Sequence, residues 1–340
     1  MKEGMGDSPI DNIKKSLGIS VVHYQIPSYA NRLPYILGGI TLISLIILFV
    51  SGIILTQFYN PVVSDANRSI VSIKNEIYLG WFIRGIHYWA MNVVIVTALL
   101  HLIMAFFTSA YKRPREFTWF TGVLLLSLIG GFIFTGTVLK WDQEGYEALQ
   151  HHLWAMERLG VIGILLSEKF SSLHILSRLY TIHISILPIL LVILLSIHIF
   201  LIKVHGISPL PRGGEVRMVD FTSHIKQLTK YGAFSLFLIS IVAIIIEPPL
   251  GSGTVEGIEI TKPPWMFLWI YSLENIWGDF LIVAPSIIFI ALILLPIIDR
   301  GSSINPRERK IGVTVFIIVL MLLAGLTING MITSAGHHME

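Results

Sequence analysis

The chain has 340 residues, of which 54% are hydrophobic and only 13% charged, with a mean hydropathy of +0.75. A soluble domain carries about 25% charged residues, so most of this surface is expected to face lipid. A formal net charge of +3 implies no polyelectrolyte partner and no nucleic acid, and the absence of cysteine excludes disulfides, Cys-ligated zinc or iron–sulfur clusters, and thioether-attached heme within the chain.

The first 30 residues are mixed and polar, without a basic stretch leading into an apolar one, so the first span is expected to direct insertion itself. A bilayer crossing needs about 20 apolar residues. Seven spans, A to G, are predicted at Leu33–Tyr59, Tyr78–Ser109, Phe117–Leu139, Leu179–Val204, Gly232–Ile246, Phe280–Ile298 and Ile311–Ile332. The fifth is the shortest and is expected to borrow Thr229–Tyr231. Between C and D, Asp142–Arg178 mixes apolar and charged residues in short amphipathic stretches, which predicts one or two helices on the membrane surface. Between E and F, Pro248–Asp279 holds a short aromatic segment, Trp265–Tyr271.

Lys and Arg mark the cytoplasmic loops. They gather in the N-terminal segment (Lys2, Lys14, Lys15, Arg32), the B–C loop (Lys112, Arg113, Arg115), the D–E loop (Lys203, Arg212, Arg217, Lys226, Lys230) and the F–G loop (Arg300, Arg307, Arg309, Lys310). The opposite loops carry Asp142, Glu144, Glu147, Glu157 and Glu168, then Glu247, Glu256, Glu259, Glu274 and Asp279. The expectation is a multi-pass plasma-membrane protein with its N-terminus cytoplasmic and its C-terminus outside.

Ionisable groups inside spans are costly and usually functional. Span B carries His87 and His101, 14 apart; span D carries His183 and His198, 15 apart. At 1.5 Å per residue these separations are about 21 and 22 Å. Each helix returns its second histidine to within about 40° or 60° of the first. B and D run in the same direction, so His87 faces His183 at one level and His101 faces His198 at the other. Two opposed imidazoles suit bis-His heme iron and leave no open position for oxygen, which points to electron transfer. Tetrahedral zinc would want four ligands per level. Gly38 and Gly52 in span A, and Gly122 and Gly136 in span C, repeat the 14-residue period and are read as clearance for a porphyrin edge. Arg84, one turn from His87, is expected to need an anion such as a heme propionate; Arg178 and Arg115 are further candidates. His151 and His152 are read as surface histidines, with a proton relay as the alternative.

These features sit in runs with a known counterpart. Leu37–Pro61 (LGGITLISLIILFVSGIILTQFYNP), Gly80–Tyr88 (GWFIRGIHY), Lys112–Trp119 (KRPREFTW), Trp141–Tyr146 (WDQEGY) and Leu176–Pro188 (LSRLYTIHISILP) resemble the cytochrome b subunit of Rieske/cytochrome b complexes. The 15-residue histidine spacing resembles the plastid-type version. Residues 31–210 carry the likeness, and the rest resembles a fused subunit IV. The fold expected is all-α and membrane-integral, with about seven spans and a diheme bundle from the first four. Residues 1–210 would be the diheme part and 211–340 the subunit IV-like part.

The resemblance implies two non-covalent hemes b, the His87/His183 heme of low potential and the His101/His198 heme of high potential. It also implies an outer quinol-oxidising site and an inner quinone-reducing site, proton translocation, and the catalytic role of a quinol oxidoreductase. The implied partners are a Rieske iron–sulfur protein, a cytochrome c or other high-potential acceptor, and a second copy of the chain. Tyr35 stands where the plastid type has the cysteine that attaches an extra heme c, so that attachment is not expected. The family's outer motif PEWY is replaced by PPWM at Pro263–Met266, and Pro264 stands at its carboxylate. Pro263, Pro264 and Trp265 are carried over as outer-site residues, with Glu247, Glu259 or Glu274 as replacement acids. At the inner site Lys226–Gln227 resembles the mitochondrial Lys–Asp pair, and His205 the inner-site histidine. The competing reading is a diheme anchor subunit of a dehydrogenase that exchanges electrons with quinone without bifurcation.

Overall fold

A computed structural model describes residues 24–158, 175–211, 213, 216–251, 253–278 and 280–334. The architecture is helical. The long helices are α1 (Leu33–Thr56), α3 (Gly80–Phe107), α4 (Glu116–Leu139), α6 (Ile175–His205), α7 (Phe221–Ile245), α9 (Phe280–Ile298) and α10 (Lys310–Ile332). Shorter ones are α2 (Ala66–Asn75), α5 (Gln143–Arg158) and α8 (Leu268–Trp277), the last preceded by a 3₁₀ turn at Trp265–Phe267. Six helices among the described residues are long and apolar enough to cross a membrane, and Val283–Ile298 within α9 is a shorter apolar helix. Their outward faces are large and aliphatic, such as Ile311 at 83% exposed and Ile298 at 71%. So much contiguous apolar surface has no stable place in water, and the protein is a multi-pass membrane protein.

Two helices differ from the sequence expectation. α7 begins at Phe221, eleven residues before Gly232. The cause is a cap: Asp220 Oδ1 accepts from Thr222 N at 2.8 Å, so the helix starts ahead of its apolar stretch. A two-stranded ribbon, β1 (Gln25–Pro27) against β2 (Met218–Asp220), anchors that start to the N-terminal segment. His224 on α7 adds a contact to the same segment, Nδ1 to Asn31 Oδ1 at 2.9 Å. α2 was not foreseen; its Ala66, Ile70 and Ile73 are buried beside the α1–α3 connection. Of the amphipathic stretch Asp142–Arg178, α5 forms as expected, while 159–174 lie outside the described residues.

α1 lies along α3 and α4 along α6, and the two pairs face each other. Close approach is written in small residues: a Cβ on Gly85 would meet Ala243 Cβ at 2.9 Å, where α3 and α7 touch. Trp119 Nε1 donates to the Leu292 carbonyl at 2.7 Å and joins α4 to α9. At the basic end, a buried clamp closes the B–C loop onto the F–G loop. Lys112 Nζ lies 2.9 Å from Asp299 Oδ1 and also donates to the carbonyls of Gly301 and Ser303, while Arg309 donates to Tyr111 Oη, which in turn donates to Asp299 Oδ2.

Candidate functional site

The four intramembrane histidines project into the space between the α1/α3 pair and the α4/α6 pair. His87 and His183 are near enough for their charges to interact, and so are His101 and His198. The structure thus brings them together as two pairs at two levels.

The glycines meet the histidines one to one. A Cβ on Gly52 would lie 3.1 Å from His87 Cε1, on Gly38 3.1 Å from His101 Cε1, on Gly136 3.2 Å from His183 Cε1, and on Gly122 3.3 Å from His198 Cε1. Each glycine therefore clears an imidazole of the adjacent helix, a more specific role than clearance for a porphyrin edge.

A second set of residues escaped the sequence reading. Ser51 Oγ lies 3.0 Å from His87 Nδ1, Thr135 Oγ1 2.8 Å from His183 Nδ1 and Thr121 Oγ1 2.9 Å from His198 Nδ1. Each hydroxyl also donates backward along its own helix, Ser51 to Ile47 O at 2.8 Å, Thr135 to Gly131 O at 2.8 Å and Thr121 to Thr118 O at 2.9 Å. A hydroxyl has one proton, so it accepts from the ring, which fixes an Nδ1–H tautomer and leaves Nε2 as a free donor pair. The signal was present: each hydroxyl directly precedes a glycine of the 14-residue set. His101 has Leu37 in the corresponding place, before Gly38.

The 15-residue interval on α6 has a local cause. Pro188 has no N–H to close the α-helical ladder, and Ile182–Ile186 forms a π turn around His183. A π turn takes in one additional residue. Leu191 accordingly lies seven residues before His198 but eight after His183, whereas Leu45, Val94 and Ile129 lie midway between their own paired positions. These four midpoint side chains belong to one buried cluster with Ile95, Ile133 and Met266, a dry layer between the levels.

Heme iron asks the protein for two axial ligands, and these residues fit it: two imidazoles per level, oriented rings and cleared helix faces. Among the described residues no group of three or more His, Asp or Glu side chains gathers to hold a bare metal ion. Arg115, at the basic end, has a buried Nε without a hydrogen-bond partner, which suits an acidic group of a ligand at that level. Arg84 is already engaged, donating to the carbonyls of Pro248 at 3.1 Å and Pro249 at 2.7 Å, so its charge is met by backbone dipoles. Arg178 is half-buried in the first turns of α6.

At the acidic end, α5, the 248–264 segment and α8 interlock. Trp265 Nε1 donates to Asn92 Oδ1 on α3 at 2.8 Å, and Trp265, Met266 and Phe267 pack on the midpoint cluster. Pro263 and Pro264 are half-buried beside them. The three candidate acids differ. Glu247 is 56% exposed and pairs with Lys74 at 2.5 Å. Glu274 and Glu259 are buried and both bind His151, the residue read from sequence as a surface histidine. That reading is corrected, because α5 turns His151 toward α8 and away from solvent. His152 packs on Phe134 with ring centroids 4.9 Å apart. At the basic end Lys226 is exposed on α7. His205 is half-buried, with a buried Nδ1 that has no hydrogen-bond partner.

Paired intramembrane histidines in a helical bundle define a class, the b-type cytochromes of electron-transport membranes. Residues 92–265 match the family described as cytochrome b (N-terminal)/b6/petB, and the chain belongs to that family. It is 36% identical to cytochrome b6 of Mastigocladus laminosus over 199 residues, which cover 57% of this chain and 92% of the relative. It is 35% identical to cytochrome b6 of Gloeobacter violaceus over the same shares. The fold matches a solved chain of a hyperthermophilic respiratory Complex III with a TM-score of 0.82 at 24% identity, over 96% of this chain and 92% of that one. That likeness extends the shared fold through the last three long helices, which fits a subunit IV-like half fused to the cytochrome b half.

Proposed function

We propose that this chain is the diheme cytochrome b of a quinol-oxidising complex. His87 and His183 would hold one heme b, and His101 and His198 the other. The observation that carries this is the ring orientation: hydroxyls take Nδ1–H of three of the four histidines, leaving Nε2 for a metal. When bound, the two hemes supply a one-electron path between the membrane faces. The chain sets the rings, keeps the midpoint layer dry and offers Arg115 to an acidic group.

The acidic end, taken as the outer face, is the quinol-oxidising end, built from Trp265, Met266 and the loops that α5 holds. A Rieske-type iron–sulfur protein takes the first electron, since a chain without cysteine cannot hold such a cluster in the usual way. The basic end holds the quinone-reducing site, with His205 and Lys226 as its residues. Low- and high-potential roles follow the outer and inner pairs. Protons leave outside and enter from the cytoplasm, across a plasma membrane, in a homodimeric assembly.

The test is quinol-driven heme reduction in the purified complex. Reduction of both hemes should depend on the iron–sulfur partner when the inner site is inhibited. Reduction that proceeds equally without that partner would favour a dehydrogenase anchor.

A further inference from the structure

A half-buried histidine and two buried carboxylates meet where α5 touches α8. His151, 17% exposed, has Nδ1 3.0 Å from Glu274 Oε1 and Nε2 3.1 Å from Glu259 Oε1, and the two carboxylates are 4% and 3% exposed. Both ring nitrogens face carboxyl oxygens, so with both acids ionised the two bonds require an imidazolium ring. Burial pushes the ring below its usual range. The hydrogen bonds the ring donates to Glu259 and Glu274, with their charges, outweigh it and raise the ring to about 10. The unit then holds one positive and two negative charges, with capacity for one more proton on a carboxylate.

Among the described residues, the other buried acids at this end are engaged elsewhere. Glu147, one turn before His151, accepts from Ile260 N and Thr261 N at 2.9 Å each and from the Thr261 hydroxyl. Asp142 accepts from Gly145 N at 3.0 Å and Gly251 N at 2.8 Å, and lies 3.3 Å from Lys140 Nζ. Lys140 also pairs with Glu144. Glu256 is exposed, and Lys262 reaches the Met331 carbonyl on α10. The elements that carry the cluster also border the proposed outer site. α8 continues from Trp265, and α5 sets His152 against Phe134, next to the Thr135 that orients His183. The Pro263–Met266 segment itself brings no titratable group.

A quinol oxidised here gives up two electrons, one to the iron–sulfur partner and one to the outer heme, and two protons that need bases. We propose that His151, Glu259 and Glu274 form the proton-accepting relay of the outer site, taking one proton per quinol and passing it to outer water, while the other proton leaves with the iron–sulfur partner that takes the first electron. The relay rests on the quinol-oxidising function proposed above. It answers which groups can serve where Pro264 offers no carboxylate.

The experiment measures outer-site heme reduction from pH 5 to 9, with the inner site inhibited, in the purified complex with its iron–sulfur partner. The probe is whichever of decylubiquinol and menaquinol-1 reduces the wild-type hemes. His151→Gln removes the cation that lies between the two buried carboxylates, so a proton should be held there more tightly. The acid limb of the rate profile should move up by about a unit or more, with a rate at pH 7 lowered roughly tenfold and two hemes retained. Glu274→Gln, which keeps side-chain size, should lower the rate while moving the limb down. A profile of unchanged shape in both variants, with normal rates or rates scaled equally at every pH, would overturn the relay and leave the cluster a structural tie. Wild-type hemes that neither quinol reduces would instead overturn the quinol-oxidising function on which the relay rests.

Discussion

Thr135 Oγ1 lies 2.8 Å from His183 Nδ1 while its own proton goes to the Gly131 carbonyl, also at 2.8 Å. One side chain thereby ties a ring on α6 to the backbone of α4. Thr135→Val keeps the shape and removes the acceptor. The ring loses its fixed tautomer, and the affinity of the outer level for heme should fall by roughly 10–100-fold. The heme content of Thr135→Val and its redox titration, compared with those of the wild type, check this. A heme with unchanged occupancy and potential would show that the hydroxyl is incidental.

The glycines should be intolerant in a level-specific way. At Gly136 the new Cβ would sit 3.2 Å from His183 Cε1, and at Gly38 3.1 Å from His101 Cε1. Alanine demands a shift of a few tenths of an ångström, whereas valine forces the ring away. Gly136→Val is expected to remove the heme of the His87/His183 level alone, and Gly38→Val that of the His101/His198 level alone. Separate potentials in a redox titration distinguish the two outcomes.

The clamp at the basic end predicts a stability effect without a redox effect. Asp299 balances Lys112 and Arg309, each 8% exposed, and Asp299→Asn leaves two buried cations short of their counter-charge. The expected loss is about 3 kcal/mol, read as a lower unfolding temperature in detergent with both potentials unchanged. Burial raises the Asp299 carboxyl, but hydrogen bonds from Tyr111 and Lys112 and the Lys112 charge lower it more, so its net position is below the usual carboxylate range. A depressed folded-state value makes this stabilisation present above the ordinary aspartate range and lost as pH falls through the folded value. Wild type should therefore lose stability on acidification below about pH 4, and Asp299→Asn should lose less.

The long spans were legible because apolar length is a direct reading of membrane thickness. The histidine levels were legible because helical rise and phase turn spacing into depth and face. What stayed hidden depends on interactions across the fold. The start of α7 is set by the Asp220 cap rather than by hydropathy. The interval from His183 to His198 gave a phase error, which the π turn before Pro188 removes. His151 looked like a solvent-facing residue of an amphipathic helix because its partners, Glu259 and Glu274, lie more than 100 residues away in sequence. The motif comparison at Pro263–Met266 marked a missing acid and offered Glu247, Glu259 and Glu274 in its place, but the burial of Glu259 and Glu274 against His151 became visible only once α5 and α8 were packed together.

The central claim is that four histidines hold two hemes at two depths. The most direct measurement is the protoheme content of the purified chain together with its reduced-minus-oxidised spectrum, in the wild type and in His87→Ala. The account predicts two b-type hemes per polypeptide in the wild type. In His87→Ala it predicts one heme, with the potential of the His101/His198 level. One heme or none in the wild type, or two retained in His87→Ala, would contradict it.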